Sequence, residues 1–371
     1  MRTLTGLRAS AGLLVPLLLL ASPALADAPD TVGGERLAAR GVVAPVGAPR
    51  LPATVAAGWL VADLDTGQVL ASKNPHGRFG PASTLKTLTA ETLIPRLDPH
   101  QLVTPTFDDL NVDGSKVGLV QKLRYPVSEL FTAMLVVSGN DAANTLATAN
   151  GGIPKTVAEM NAEAKRLHAL DTHAVNANGL DATGQVSSAY DLALIARAAM
   201  QNPSFRAYVA TKHSKVRGPR GPIPISSHDK LLYNYPGAIG IKNGYTVRAR
   251  ATFVGAASRG GHTLVVTLMR TNPHYWPEAA ALLDWGFKAT AAGVQPVGQL
   301  VDPDPDPSQV VPDQQQAQAP VQAVAARKPI AGGDVPVLPL GIIGAGVAVM
   351  GAGVSRSRRR RRRRYRLRLP V

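Results

Sequence analysis

The sequence predicts an α+β fold, in which helices flank an antiparallel sheet and a helical lobe is inserted between the first and last strands. Two observations predict this arrangement: β-rich hairpins near both ends of residues 54–300, and a long, mostly helical stretch between them. Strands from both ends must meet to form one sheet. A cleft is then expected where the sheet and the helical lobe meet.

Turn residues and apolar spacing define the elements. Two β-rich runs surround residues 65–67, and two more flank the Gly-rich residues 259–261, so each pair predicts a hairpin. The strand ranges are 58–71 for the first hairpin, and 252–257 with 263–269 for the second. Helical spacing occurs at 85–93, 127–137, 153–167 and 189–200, and residues 279–287 suit a closing helix.

An S-x-x-K motif formed by Ser83 and Lys86 is the first chemical signal. Side chains three residues apart share a face of a helix, so the Lys86 amine can act as a base for the Ser83 hydroxyl if it is held neutral. The same pattern recurs at Ser227 and Lys230. Only Ser83 begins an apolar helix pattern, where free backbone N–H groups gather, and it is therefore the candidate nucleophile.

Two further motifs follow in a defined order: S-x-N at Ser138 and Asn140, then K-x-G at Lys242 and Gly244. Other copies of both patterns, at 72–74 and 116–118, fall out of this order. The ordered set resembles that of penicillin-binding proteins and serine β-lactamases. The chain most resembles the low-molecular-weight D-alanyl-D-alanine carboxypeptidases, from about residue 59 to 287, including the segments 138–144, 178–181, 189–193 and 240–246.

The resemblance implies a penicillin-binding/β-lactamase-like transpeptidase fold and a serine DD-carboxypeptidase. Such an enzyme removes the terminal D-alanine from peptidoglycan stem peptides through an acyl-enzyme on Ser83, and β-lactams acylate the same serine. Lys86 would be the general base, with a pKa lowered by burial and by the nearby charge of Lys242. Ser138 would relay a proton to the leaving amine, and Asn140 would hold the substrate backbone.

The K-x-G strand is expected to face the cleft. Gly244 would let the substrate backbone approach closely, and the N–H groups of Ser83 and Tyr245 would form the oxyanion hole. The commonest family pattern has Thr where this chain has Asn243. The Asn243 amide can still donate a hydrogen bond to the terminal carboxylate, and Thr246 can add a hydroxyl.

Several residues near the motifs have a weaker signal. Arg270 is the arginine nearest in sequence context that could bind the substrate carboxylate, and a surface role is equally open. The loop at 178–181 is expected to be a structural turn beside the site. No metal or other cofactor is expected, because the histidines show no ligand spacing, namely His213, His228, His262 and His274.

Three alternatives use the same fold. A class A β-lactamase needs a deacylating glutamate in an E-x-x-L-N setting, and residues 159–161 do not fit this pattern. A DD-endopeptidase or transpeptidase would use the same residues, so the sequence leaves the acyl acceptor open. An inactive cell-wall-binding module would not need the intact set of Ser83, Lys86, Ser138 and Lys242.

The two ends of the chain predict export and anchoring. Residues 1–26 resemble a signal peptide, 27–53 a flexible N-terminus, 54–300 the catalytic domain, and 301–334 a Pro-, Gln- and Asp-rich linker. Residues 335–354 lack charge and are long enough to cross a bilayer, and 355–371 form an Arg-rich tail. The expected topology is a single-pass membrane protein with an extracytoplasmic catalytic domain and a cytoplasmic C-terminus.

The net charge of +15 does not indicate a nucleic-acid-binding protein. Ten arginines lie between Arg356 and Arg368 and two lie in residues 1–26, which leaves +3 for the rest of the chain. The arginine tail borders the apolar segment, so anionic lipid headgroups are its expected partner rather than RNA or DNA. The chain has no cysteine, and disulfides and thiolate metal sites are excluded.

Overall fold

The computed structural model describes residues 31–305, all within the first of the two units into which the chain divides, Met1–Pro312 and Asp313–Val371. The strands in chain order are β1 Val42–Val43, β2 Gly58–Asp63, β3 Gln68–Lys73, β4 Leu102–Val103, β5 Tyr125–Pro126, β6 His213–Val216, β7 Ile223–Ser226, β8 Ala238–Thr246, β9 Arg250–Arg259, β10 His262–Thr271 and β11 Gly298–Gln299. The α-helices are α1 Lys86–Leu93, α2 Phe107–Leu110, α3 Val127–Val136, α4 Asn140–Ala149, α5 Ile153–Arg166, α6 Ala189–Ala199, α7 Pro203–Val209, α8 Lys230–Asn234 and α9 Trp276–Ala291. Short 3₁₀ helices span Glu35–Ala38 and Ala82–Leu85.

One antiparallel sheet of seven strands joins the two ends of the domain, as predicted. Its order is β1-β3-β2-β10-β9-β8, and β11 also pairs with β3. The first hairpin meets the last through β2 and β10, where Trp59 lies opposite Leu268 and Ala62 opposite Val265. The inserted helices lie in the chain between β3 and β8. The α+β fold with an inserted helical lobe is therefore confirmed.

Both faces of the sheet are covered, and the central strand β2 shows this most clearly. All six of its residues are buried. Because successive side chains point to opposite faces, Leu60 and Ala62 join the core beneath α1 and α6, whereas Trp59 and Val61 join the core beneath α9. Burial on both sides explains why residues 59–62 of β2 are a continuous apolar run instead of an alternating one.

The sheet and the helical lobe meet at the start of α1. The 3₁₀ helix Ala82–Leu85, which leads into α1, packs against β8 and β9. Helix α1 then runs into the lobe, where it packs against α5 and α6. The 3₁₀ helix comes from the N-terminal part of the domain, and the edge strand β8 comes from its C-terminal part. Their contact brings the S-x-x-K and K-x-G motifs together.

The folded part of the chain is longer than the predicted 54–300. Within the segment 27–53, expected to be flexible, residues 31–53 contact the domain: Val42 pairs with Lys73, Leu37 is buried, and the Trp285 indole N–H donates to the Pro49 carbonyl at 2.8 Å. At the other end, the backbone N–H of Asp304 donates to Arg166. Such edge pairing and backbone contacts produce no periodic pattern, which is why the sequence did not indicate them.

The predicted signal peptide, membrane segment and arginine tail, at 1–26, 335–354 and 355–371, lie outside the described residues. So does the linker beyond residue 305. Between residues 31 and 305, none of the helices has both the length and the apolar character needed to cross a membrane.

Candidate active site

Ser83 lies in a strained turn at the start of α1. The preceding residue, Ala82, has a φ of 48°, a left-handed conformation that is uncommon for a residue with a side chain. The turn is held from two sides, because the hydroxyls of Thr84 and Thr252 both donate to the Pro81 carbonyl, at 2.6 and 2.7 Å. Strain of this kind persists only where the surroundings enforce it, and it is common at active sites.

Two glycines allow other segments to approach the Ser83 backbone. A Cβ on Gly244 of β8 would lie 2.6 Å from the Ser83 nitrogen, and a Cβ on Gly179 would lie 2.1 Å from the Ala82 carbonyl oxygen. Neither distance is possible for real atoms, so both positions require glycine. The K-x-G glycine therefore lets β8 lie directly beside the Ser83 N–H.

Lys86 is fully buried beneath Ser83 and has three polar neighbours. Its Nζ lies 3.0 Å from Ser83 Oγ and 2.7 Å from Asn140 Oδ1, and it also donates to the backbone carbonyl of Asn178. The amide of Asn140 is oriented by its other end, because Nδ2 donates to the Asp113 carbonyl at 2.7 Å. Oδ1 is thus left facing Lys86.

This set of partners suits a neutral amine. Burial lowers the pKa of Lys86 well below its ordinary value; the charge of Lys242 lowers it further, and Asp141 opposes them. A neutral amine has two N–H donors and one lone pair. The oxygens of Asn140 and Asn178 can only accept, so the lone pair is left for the Ser83 hydroxyl, the one partner that can donate.

Asn140 and Asp141 also hold the loop at residues 115–119, which comes before them in the chain. The Asn140 backbone N–H donates to the Ser115 carbonyl at 2.7 Å, and the Asp141 carboxylate accepts from three successive backbone N–H groups at 2.9–3.1 Å. The three donors are Val117, Gly118 and Leu119. The first turn of α4 thus fixes both a Lys86 partner and the neighbouring loop.

Ser138 lies just before α4 and has a left-handed φ of 61°. Its side chain is largely buried, yet across residues 31–305 no hydrogen bond joins its hydroxyl to Ser83, Lys86 or Lys242. The structure thus places Ser138 two residues from the Lys86 partner Asn140, without a formed proton relay.

Lys242 lies on β8 and is 1% exposed. Its Nζ donates to the Asn243 carbonyl at 2.6 Å and lies 3.5 Å from Asn243 Oδ1. Burial lowers the pKa of Lys242 to about 7, and the Asp229 carboxylate opposes this shift. The Asn243 side chain is half-buried and Tyr245 is exposed.

Substrate binding by Thr246 and Arg270 stays a prediction, and the structure shows the surroundings of both residues. The Thr246 hydroxyl donates to Asp181 Oδ1 at 2.9 Å and accepts from the Ala249 N–H at 2.9 Å, so its proton is already used. Arg270 is exposed, with a φ of 55°, at an irregularity of β10. The strand register puts its neighbour Thr271 two strands away from Tyr245.

The loop at 178–181, expected to be only a structural turn, is part of the site. Asn178 supplies a carbonyl to Lys86, Gly179 packs on the Ala82 carbonyl, and Asp181 binds Thr246. The Asn178 side chain is itself held by Asn144 of α4, at 3.0 Å. Residues 178–181 were among the segments of the family resemblance, and this was the only sequence signal for their role.

Comparisons with known proteins agree with this geometry. The sequence profile of the D-alanyl-D-alanine carboxypeptidases, peptidase family S11, matches residues 46–272. D-alanyl-D-alanine carboxypeptidase DacB2 of Mycobacterium tuberculosis is 45% identical over 252 residues, which cover 66% of this chain and 87% of that protein. DacD of Escherichia coli is 33% identical over 257 residues, and the match spans 64% of each protein.

Solved structures give the same result. A D-alanyl-D-alanine carboxypeptidase from Mycobacterium tuberculosis has a TM-score of 0.64 at 45% identity, covering 66% of this chain and 96% of that one. The Streptomyces K15 DD-transpeptidase has a TM-score of 0.61 at 27% identity, covering 64% and 99%. Because the family profile matches more than half of the chain and its S-x-x-K, S-x-N and K-x-G segments meet around Ser83, the chain belongs to the D-alanyl-D-alanine carboxypeptidase family of serine hydrolases.

Proposed function

We propose that this chain removes the terminal D-alanine from peptidoglycan stem peptides through an acyl-enzyme on Ser83. Ser83 Oγ attacks the carbonyl carbon of the penultimate D-alanine while Lys86 Nζ takes the hydroxyl proton. The carbonyl oxygen becomes an oxyanion facing the Ser83 and Tyr245 N–H groups. The C–N bond then breaks, a proton passes to the leaving amine through Ser138, and D-alanine departs. Water hydrolyses the ester and restores Ser83.

The arrangement around Lys86 is the observation that most supports this proposal. A buried lysine without a carboxylate partner is costly as a cation, so the neutral form is favoured. Two fixed acceptors, Asn140 Oδ1 and the Asn178 carbonyl, direct its lone pair to Ser83. A serine hydroxyl 3.0 Å from a neutral amine is the pairing that a nucleophile and its base require.

The edge position of β8 supports a peptide substrate. β8 is the last strand of the sheet, so one side of its backbone is unpaired within the described fold and can bind an extended peptide as an added strand. Lys242 and Asn243 lie at the middle of this strand, beside Gly244 and Ser83. An ammonium and an amide there suit the terminal carboxylate of a D-Ala-D-Ala peptide.

The competing activities differ in what happens to the acyl-enzyme. Within residues 31–305, no Asp or Glu side chain hydrogen-bonds to Ser83 or Lys86. Glu159, on α5, accepts from the Asn150 amide and pairs with Lys155. A class A β-lactamase mechanism, which needs such a glutamate, is therefore disfavoured. Transpeptidation uses the same acylation step, and the similarity to the Streptomyces K15 DD-transpeptidase makes it the second candidate.

The cellular setting is a separate proposal, drawn from the sequence. Residues 1–26 would direct export, and residues 335–354 with the arginine tail would anchor the chain, leaving the catalytic domain on the extracytoplasmic side where peptidoglycan is found. Deleting residues 335–371 should move the protein from the membrane fraction to the soluble fraction. Retention in the membrane after this deletion would contradict the proposed anchor.

A product assay tests the activity. The purified domain is incubated with a diacetylated Lys-D-Ala-D-Ala peptide, with and without glycine or a D-amino acid as acyl acceptor. The proposal expects free D-alanine in both conditions, and mainly hydrolysed peptide. Transfer product in large excess over hydrolysis would assign the transpeptidase activity instead, and no D-alanine release at all would contradict both.

A further inference from the structure

Asp229 is a buried carboxylate that the mechanism above does not use. It is 4% exposed and precedes α8, where its Oδ1 accepts from the Leu231 N–H at 2.8 Å and from the Leu232 N–H at 3.4 Å. Its Oδ2 is fully buried and has no hydrogen-bond partner of ordinary geometry within the described fold. A buried carboxylate oxygen without a hydrogen bond is unfavourable, so its presence needs an explanation.

Asp229 and Lys242 belong to two elements that pack together, and the charge of each acts on the other. Helix α8 packs against β8, the strand of Lys242, and the Ile241 N–H also lies near the Asp229 carboxylate. No direct ion pair joins the two side chains among residues 31–305, yet each alters the other. Burial raises the pKa of Asp229 to about 6 and lowers that of Lys242 to about 7, and each charge opposes the shift of its partner.

We propose that Asp229 is a positioning residue for Lys242: its unbonded, buried oxygen is the counter-charge that keeps the Lys242 ammonium protonated and oriented in the cleft. The inference rests on the role proposed above for Lys242 as a ligand of the substrate carboxylate. It also gives a role to the second S-x-x-K segment, 227–230. That segment contains no second nucleophile, but it supplies the acid behind the K-x-G lysine.

The charge of Asp229 also affects Lys86, through its effect on Lys242. A protonated Lys242 lowers the pKa of Lys86, so it helps to keep the base neutral. If Asp229 is neutral, the pKa of Lys242 falls and Lys242 loses its proton at a lower pH. Lys86 then loses a neighbouring cation and its own pKa rises. Loss of the Lys242 charge weakens carboxylate binding on the alkaline side, whereas a higher Lys86 pKa leaves less neutral base at a given pH and so acts on the acid limb.

Other titratable groups face this pair and must be considered in any pH profile. Burial, Lys242 and Lys230 lower the pKa of His228, and the Tyr275 hydroxyl donates to the His228 carbonyl at 3.3 Å. Burial and then the Asp229 charge raise the pKa of Tyr275 above its ordinary value. The groups facing Asp229 and Lys242 are therefore Lys86, Asp141 beyond it, His228, Lys230 and Tyr275.

Asp229→Asn tests the proposal, because asparagine keeps the oxygen that caps α8 and replaces the unbonded oxygen by an uncharged NH₂ group. The rate of D-alanine release is measured from pH 5 to 10. We expect the alkaline limb of kcat/KM to move to lower pH by about one unit, so that kcat/KM at pH 8 falls about fivefold or more, mainly through KM. Near pH 6, where Asp229 is itself partly protonated, variant and native enzyme should agree within about twofold.

Asp63→Asn is the matched control. Asp63 is another buried aspartate whose Oδ1 accepts two backbone N–H groups, those of Asp65 and Thr66, at 2.9 and 3.0 Å. Because Asp63 lies on β2, Asp63→Asn should leave the pH profile of D-alanine release unchanged. A uniform loss at every pH in Asp229→Asn, or an unmoved alkaline limb, would overturn the proposal and reduce Asp229 to a helix cap.

A direct titration removes any dependence on the variant's fold. In native protein carrying ¹³Cε-lysine, the Lys242 resonance should show a second inflection near pH 6, as Asp229 takes up its proton. A single inflection would contradict the coupling. Ser83→Ala, run in the same assays, tests the proposed function alone: activity surviving in that variant would refute the acyl-enzyme on Ser83, whatever Asp229→Asn does.

Discussion

Lys86 Nζ and Asn140 Oδ1 lie 2.7 Å apart, and this contact connects the first two motifs of the chain. The amide cannot turn over without losing the bond from its Nδ2 to the Asp113 carbonyl, so it presents an acceptor to Lys86. A neutral Lys86 that donates to Asn140 and to the Asn178 carbonyl has only its lone pair left for Ser83. Asn140 of the S-x-N motif thereby directs the lone pair of Lys86 toward the Ser83 hydroxyl.

Lys86→Arg tests the need for a neutral base. A guanidinium stays protonated, so it cannot accept the Ser83 proton. Acylation by a fluorescent penicillin should slow by about 10²–10⁴, the range that a general base contributes. Lys230→Arg, in the second S-x-x-K segment, is the control and should acylate at the native rate. A Lys86→Arg protein that labels within about tenfold of native would exclude Lys86 as the base.

Asn140→Asp places a carboxylate against Lys86. An opposite charge favours the protonated amine and raises the pKa of Lys86, so less neutral base is present at a given pH. The acid limb of the acylation rate, measured from pH 5 to 10, should move to higher pH by about one unit or more. If the limb stays in place while the variant melts like the native protein, Lys86 is not the group that titrates there.

Gly244→Ala tests the close approach of β8 to the nucleophile. The added Cβ would lie 2.6 Å from both the Ser83 nitrogen and the Thr252 hydroxyl, which holds the Ser83 turn. We expect acylation to fall at least about tenfold, which is roughly 1.4 kcal/mol in barrier. At Gly260 a Cβ meets no atom within 4 Å, so Gly260→Ala should alter stability alone through its positive φ. Equal acylation rates in the two variants would contradict the argument.

Asn243 is the departure from the common family pattern, and two substitutions define its role. If its amide only donates to the substrate carboxylate, Asn243→Thr should keep D-alanine release within about tenfold. Asn243→Ala should lose more, because a charge-assisted hydrogen bond of about 1.5–3 kcal/mol is missing. Both proteins should melt near the native temperature. Native rates in both variants would mean that Asn243 does not bind the carboxylate.

Local patterns were enough to predict the main elements and the motif residues. Apolar spacing indicated a helix at 189–200, and the observed α6 is Ala189–Ala199, a mostly buried helix that packs against the sheet and against α1. Ser83, Lys86 and Asn140 could be selected because their side-chain chemistry and their order in the chain are both distinctive. The structure brings these three into contact.

What the sequence did not indicate depends on contacts between distant segments. Asn178 contributes a backbone carbonyl, which any residue has, so its role leaves no mark on residue type. The hydroxyl of Thr246, predicted to bind substrate, donates to Asp181, 65 residues earlier in the chain, and no sequence pattern indicated this contact. Asp229 resembles an ordinary helix cap until α8 is seen packed against the strand of Lys242.

The most direct test of the whole account is the site of covalent labelling by a fluorescent penicillin, compared in Ser83→Ala and Ser227→Ala. Both serines begin an S-x-x-K pattern, but only Ser83 has a lysine amine 3.0 Å from its hydroxyl, whereas Ser227 Oγ accepts from the Asp229 N–H. The account predicts no label on Ser83→Ala and native labelling of Ser227→Ala. Label that persists on Ser83→Ala, or disappears from a folded Ser227→Ala, would contradict it.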